Sequence, residues 1–169
     1  MGGTAAADHR GAPARPDKLV GMHSALPDRL SSLPLDHVAI AVTDLDGATA
    51  PYRLLGLEVL EDSVLEEQGV RVRMLSAGDS KVELLEPLDA QSPVGRFLEK
   101  RGAGLHHIAL GVNDIEAEVE RLRTAGARFT SDGPRPGHGG TSVIFLHPSW
   151  TGGVLVELVE QPGADRAGE

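Results

Sequence analysis

Two histidines and two glutamates recur at matching places in a short pattern that the chain carries twice. Leu35-Asp36-His37-Val38-Ala39-Ile40-Ala41-Val42-Thr43-Asp44-Leu45 aligns with Leu105-His106-His107-Ile108-Ala109-Leu110-Gly111-Val112-Asn113-Asp114-Ile115. Further on, Val82-Glu83-Leu84-Leu85-Glu86-Pro87 aligns with Val156-Glu157-Leu158-Val159-Glu160-Gln161-Pro162. The histidines are 70 residues apart and the glutamates 74. Two neutral imidazoles and two carboxylates suit Co, Mn, Ni, Zn or Fe(II). A six-coordinate ion held by His37, Glu83, His107 and Glu157 would keep two positions open for water or a chelating substrate, which separates a catalytic from a structural metal. Singly, such a His or Glu on a strand is an ordinary core or surface residue; it is the four together, at homologous places, that carry the reading.

Strands must position all four. The first runs from Leu35, with His37, Ala39 and Ala41 on one face and Val38, Ile40 and Val42 on the other, the second face packing on a helix. Thr43 or Asp44 caps that helix, Gly56 stops it after Leu55, and Pro51 is expected to break or delay it. Strands are predicted at 58–65, 70–76 and 80–87, with Gly78-Asp79 as a hairpin turn. A connecting helix follows at 93–101, with Val94, Phe97 and Leu98 on one side. The second unit repeats the order: strand 105–112, helix 113–125 with Ile115, Val119 and Leu122 on one face, then strands 128–131, 142–146 and 154–160. An insertion near 149–153 accounts for the larger glutamate offset. The fold class is α+β: two tandem βαβββ modules, related by a pseudo-twofold axis, forming a curled mixed sheet around a metal-binding cleft. The domain spans 34–162, as module one (34–90), linker helix (91–103) and module two (104–162). Residues 1–33, rich in Gly, Ala, Pro and charge without a period, read as a disordered N-terminal tail with at most a helical turn at 26–33; 163–169 read as a C-terminal tail.

Composition removes several functions. The formal net charge of −9 argues against nucleic-acid or anionic-membrane partners, and the lack of cysteine excludes thiolate ligation and disulfides. No stretch approaches the roughly 18 apolar residues of a membrane span, nor the apolar run of a secretory signal, so a cytoplasmic location is expected. Strand parity turns His106 away from His107 and makes it structural. His147 is expected to bond locally, and Trp150 to pack over the second hairpin. Gly137-His138-Gly139-Gly140 offers bare amides that could hold a carboxylate or thioester tail. Glu66-Glu67-Gln68-Gly69 reads as a solvated turn that could overhang the cleft. Arg71, Arg73, Lys100 and Arg101 are the cations available to an anionic ligand, the first two read foremost as exposed strand positions.

The stretch from Leu35 to Pro162 resembles the vicinal oxygen chelate (glyoxalase/dioxygenase-like) superfamily. Within it, the methylmalonyl-CoA epimerase family is the one it resembles, on Glu67-Gln68-Gly69-Val70, Gly104-Leu105-His106-His107-Ile108-Ala109, Phe145-Leu146-His147-Pro148 and Gly153-Val154-Leu155-Val156-Glu157-Leu158. The resemblance implies that His37, Glu83, His107 and Glu157 bind a divalent metal ion, Co²⁺ first, with Mn²⁺, Ni²⁺ or Zn²⁺ as alternatives. It also implies interconversion of the R and S forms of a small acyl-CoA substrate by a cytoplasmic homodimer. Some members carry Gln at the position of Glu83. A further catalytic Glu, assigned in some members to the strand after the Glu-Gln-Gly turn, falls on Val72 here and is not carried over. A 1,1-proton transfer through a metal-chelated enolate needs a carboxylate on each face. Glu157 is the first base, and Glu83 or Glu67 serves the opposite face. The alternatives are a glyoxalase-like lyase or isomerase acting on a thiol adduct, a ring-cleaving dioxygenase, and a non-catalytic binding protein. A lone tyrosine, Tyr52, weakens the dioxygenase option, and 3% aromatics with a full ligand set weakens the binder.

Overall fold

Each module opens on a strand that alternates, and the alternation decides what it buries. In the computed structural model, which describes residues 33–163, the first strand is β1 (Leu35–Ala41). The expected tails and the turn at 26–33 lie, but for residues 33 and 163, outside the described residues. Helix α1 (Leu45–Leu54) follows, then β2 (Val59–Leu65), β3 (Val70–Ala77) and β4 (Ser80–Pro87). Helix α2 (Pro93–Arg101) leads to β5 (Gly104–Val112), α3 (Ile115–Thr124), β6 (Arg135–Pro136), β7 (Ser142–Leu146) and β8 (Leu155–Glu160). The eight strands form one sheet in the order β2-β3-β4-β1-β5-β8-β7-β6. Outward from the central β1–β5 pair, the two halves read alike. Each half starts with a parallel pair, β1 with β4 and β5 with β8, while the central seam is antiparallel.

The faces sort as the residue types demand. Val42, Leu45, Leu75 and Leu84 pack with Ile40, Ala48 and Tyr52, joining the sheet to α1. In the second module Val112, Ile115, Val119, Leu122, Ile144 and Leu158 do the same against α3, with Trp150 at the edge of that cluster. The helices start alike. Asp44 accepts a hydrogen bond from Asp46 N at 3.1 Å, and Asp114 accepts one from Ala117 N at 3.0 Å. A second carboxylate completes each cap: Glu86 Oε2 accepts from Leu45 N at 3.1 Å and Glu160 Oε2 from Ile115 N at 2.7 Å. The second Glu of each repeated strand motif therefore ties the end of its module to the helix near its beginning.

Three expectations change. Pro51 neither breaks nor delays α1, which runs unbroken from Leu45 to Leu54. It sits in the last turn, where only one backbone bond is forfeited, and Leu55 N still reaches Pro51 O at 3.1 Å. The strand expected at 128–131 shrinks to one bridge, Phe129 with Leu146, because Ser131-Asp132-Gly133-Pro134 bends the chain away. On the side away from β8, β7 pairs instead with the two-residue edge strand β6. Arg73 is buried, 8% exposed, rather than an exposed strand residue. It donates to Asp62, to Asp46 at 2.8 Å and to Thr49 at 3.0 Å, locking β3 to β2 and α1. Arg71 is half-buried and paired with Asp62 at 2.9 Å, so neither arginine is left to clamp a ligand.

Helix α2, which links the modules, depends on one glycine for its close seat. Gly95 is buried; a Cβ there would lie 2.4 Å from Asp89 O and 2.8 Å from Ala90 Cα, both backbone atoms that cannot swing aside. Alanine is ordinarily the better helix former by about 1 kcal/mol. Here Gly95→Ala should nevertheless destabilise the fold by about 1–3 kcal/mol through overpacking, measured by urea denaturation; a variant as stable as wild type would disprove the close seat.

Candidate metal centre

Register brings the repeated residues together. Across the seam, Ala39 pairs with His107 and His37 with Ala109. On the outer sides, Ala39 neighbours Glu83 on β4 and Ala109 neighbours Glu157 on β8. Ala39 and Ala109, both fully buried, form a low floor on which the four longer side chains converge. Ala39 clusters with Val70, Val72, Leu85 and Val94, and Ala109 with Val143 and Val159, so a larger residue at either alanine would have to displace core beside the donors. His37, Glu83, His107 and Glu157 are all buried, 5–7% exposed.

His37 Nε2 lies 3.2 Å from His107 Nε2, 3.3 Å from Glu157 Oε2 and 3.5 Å from Glu83 Oε2. His107 Nε2 lies 3.5 Å from Glu157 Oε2 and 3.7 Å from Glu83 Oε2. Donors sharing one ion at about 2.1 Å lie roughly 3.0–3.4 Å from each other in octahedral or tetrahedral arrangements. The donor set thus fits a single divalent cation. His37, His107 and Glu157 form the triad whose donors are mutually close, within 4.8 Å. Glu83 approaches both imidazoles from the β4 side.

Burial and neighbouring charge shift the groups of this cluster in both directions. Burial alone would lower the His37 pKa, but the hydrogen bond to Asp36 and the carboxylates of Glu157 and Glu83 outweigh it and raise it to about 9. Burial pushes Glu83 up. It pushes Glu157 up too, yet the bonds to His107 and His37 prevail and bring that carboxyl down to about 2. His106 is lowered to about 4, first by burial and then by His107, so it stays neutral.

A second layer surrounds the four. Asp36 Oδ1 lies 2.8 Å from His37 Nδ1 and is held by Lys81 at 3.1 Å; Gln161 donates to its other oxygen at 2.9 Å. The Phe145 ring meets His107 edge-on at 5.4 Å, with the Arg135 guanidinium 5.7 Å from its centre. His106 does not face away as strand parity suggests: its Nδ1 lies 2.8 Å from His107 Nδ1. Residue type and period give no sign of Lys81, Gln161 or Phe145; Asp36 and His106 share a repeat position, which was the available signal.

The cluster forms the base of a cleft of about 500 Å³. Glu67 and Gln68 line it from a 3-10 turn, Glu66–Gln68, that Gly69 ends at φ 65°. Across the cleft, Gly137, His138 and Gly139 line it as well. His138 Nε2 approaches Glu61 Oε1 at 2.7 Å across the mouth, off the axis of a hydrogen bond. His147 bonds locally to Ser149 at 2.8 Å, as expected. Arg101 lies over Phe97, 6.0 Å from its centre, outside this cleft. No helix among the described residues is long and apolar enough to cross a membrane.

Because His37 holds a proton up to about pH 9 in the metal-free cluster, a cation must displace it. A raised pKa favours the metal-free fold below the ordinary 6.5, and that contribution is lost as pH climbs through about 9. Metal uptake runs the opposite way: it should release a proton and weaken roughly tenfold per unit of falling pH below that value. Calorimetric titration with Zn²⁺ in buffers of different ionisation enthalpy measures both quantities; affinity flat between pH 6 and 8 would contradict the assignment.

Residues 36–145 match the sequence profile of the glyoxalase/bleomycin resistance protein/dioxygenase superfamily. The mitochondrial methylmalonyl-CoA epimerase of Homo sapiens is 48% identical over 126 residues, 73% of this chain and 72% of that protein. The ethylmalonyl-CoA/methylmalonyl-CoA epimerase of Cereibacter sphaeroides is 48% identical over 127 residues, covering 73% of this chain and 95% of the relative. Among solved structures, a Streptomyces coelicolor methylmalonyl-CoA epimerase variant in complex with 2-nitronate-propionyl-CoA superposes with a TM-score of 0.73 at 43% identity, over 79% of this chain and 98% of that one.

Proposed function

The chain belongs to the methylmalonyl-CoA epimerase family of the glyoxalase/bleomycin resistance protein/dioxygenase superfamily, and we propose that it interconverts (R)- and (S)-methylmalonyl-CoA. The observation that carries this is the convergence of His37, His107 and Glu157 at the base of a cleft that also presents an uncommitted carboxylate, Glu67. A divalent cation held by the triad with Glu83 as fourth donor would supply Lewis-acid stabilisation of negative charge on the thioester oxygen. Co²⁺ is the ion we propose first; the nitrogen and oxygen donors also suit Mn²⁺, Ni²⁺ and Zn²⁺.

The protein's own part is to hold the α-carbon between two carboxyl groups. One takes the α-proton, leaving the C–H electron pair in the acyl group; the other delivers a proton to the opposite face. Glu157 serves one face from β8. For the other, the geometry favours Glu67 over Glu83. Both Glu157 and Glu83 lie in the donor cluster, Glu83 at 3.5 and 3.7 Å from the two imidazoles; with Glu157 shifting off the cation to act as the first base, Glu83 is the carboxylate left to hold it. Glu67 stands outside the cluster, on a turn pinned by the bond from Leu88 N to Gly69 O at 2.8 Å. Solvent resets the two carboxyls between turnovers. Lining residues Val70, Val72, Leu85 and Val143 exclude water from the acyl group. We further propose a homodimer in the cytoplasm; Leu54, Leu55 and Leu105, at 90%, 74% and 51% exposure, offer apolar surface for self-association.

Two variants separate the bases. Glu157→Gln should keep the fold and lose about 10²–10⁴-fold in epimerisation. Glu67→Gln should lose epimerisation equally, yet one stereoisomer should still exchange its α-proton with D₂O while retaining configuration. Proton NMR of each isomer in D₂O reads both. Epimerisation by Glu67→Gln at the wild-type rate would return the second role to Glu83.

A further inference from the structure

Asp36 and His106 hold the same place in the two repeats, each immediately before a cluster histidine. Each is also the extra residue of a β-bulge. Pairing passes from Leu35↔Leu110 to His37↔Ala109, leaving Asp36 unmatched, and from Ala39↔His107 to Ile40↔Leu105, leaving His106 unmatched. A bulge bends the strand and re-aims one side chain, so a residue that parity would send to the far face reaches its neighbour instead. The result is the same in both repeats: Asp36 Oδ1 lies 2.8 Å from His37 Nδ1, and His106 Nδ1 lies 2.8 Å from His107 Nδ1.

We infer that Asp36 and His106 are a repeat-related pair of positioning residues, each fixing one cluster imidazole with Nδ1 protonated and the Nε2 lone pair turned to the cation. The inference rests on the metal reading above. For His107 it has a strict corollary. If His107 carries its hydrogen on Nδ1, His106 must accept at Nδ1, and its own hydrogen then sits on Nε2. The two positioning residues are unlike. Asp36 is an anion held by Lys81 and Gln161, whereas His106 is steadied by the edge of Phe97, ring centres 4.9 Å apart, from the helix that links the modules. A carboxylate partner makes its imidazole the more basic donor, so the two histidines bind one ion unequally.

The test uses the whole 169-residue chain with Zn²⁺ as a diamagnetic probe. Competition against a chromophoric chelator gives the affinity, and ¹⁵N-correlated NMR of the imidazole rings gives the tautomers. In the wild type, His37 and His107 should be protonated at Nδ1 and His106 at Nε2. His106→Leu should weaken zinc binding about 10–100-fold, and His106→Asn, whose amide oxygen can accept at similar reach, should recover most of it. Wild-type affinity in His106→Leu, or a hydrogen on His106 Nδ1 in the wild type, overturns the inference; the second observation needs no variant, so misfolding of His106→Leu cannot rescue it. Failure of the wild type to take up zinc would overturn the metal reading and this inference with it, whereas uptake indifferent to His106→Leu overturns this inference alone.

Discussion

The antiparallel pairing of β1 with β5 is the contact on which the rest of the molecule depends. It joins two modules whose internal strand order is the same, and it sets two imidazoles against each other at 3.2 Å with carboxylates arriving from the parallel neighbour on each side. Bringing two carboxylates and two imidazoles out of water costs several kcal/mol per ion unless opposite charge compensates. Hydrophobic clusters on the helix-covered face, centred on Leu45, Leu75 and Leu84 in one module and Ile115, Val119 and Leu158 in the other, offset that cost. A bound cation would add its own stabilisation, since it binds the folded chain and not the unfolded one.

The features legible in the sequence are those that depend on local period and on repetition. Alternation in 35–42 and 105–112 assigned the faces, and the helical spacing of Ile115, Val119 and Leu122 assigned the apolar side of α3. The matched motifs picked out the four residues that the fold draws together. What stayed hidden has physical reasons. A bulge breaks the period of two without altering composition, so parity sends His106 to the wrong face and gives no sign that Asp36 reaches His37. The buried role of Arg73 exists only because Asp62 on β2 and Asp46 and Thr49 on α1 close around it. Glu86 and Glu160 were visible as repeated letters, but their partners are helix amides about forty residues earlier. Pro51 misled because its cost depends on where the helix ends, and strand 128–131 because the bend at 131–134 won over the β-forming residues before it.

The modules are not copies beyond the base of the cleft. A two-residue turn at 78–79 joins β3 to β4, while an eight-residue connection at 147–154 joins β7 to β8. One side of the opening carries the 3-10 turn with Glu67, the other the glycine-rich stretch with His138. The base of the cleft is matched between the modules, and its walls are not.

The pseudo-twofold relation between the modules is a rotation, whereas the two configurations of one carbon are related by reflection. No rotation converts a site into its mirror image, so the two stereoisomers can never meet equivalent surroundings in this cleft, however alike the halves become. The equilibrium between the isomers belongs to the substrate, not to the protein. Any preference of the cleft for binding one isomer must therefore be matched by a compensating difference in turnover, so the forward and reverse Michaelis parameters will differ individually while their ratio stays fixed by solution thermodynamics. The handedness of the fold is thus expressed in the kinetics of each direction, and never in the final mixture.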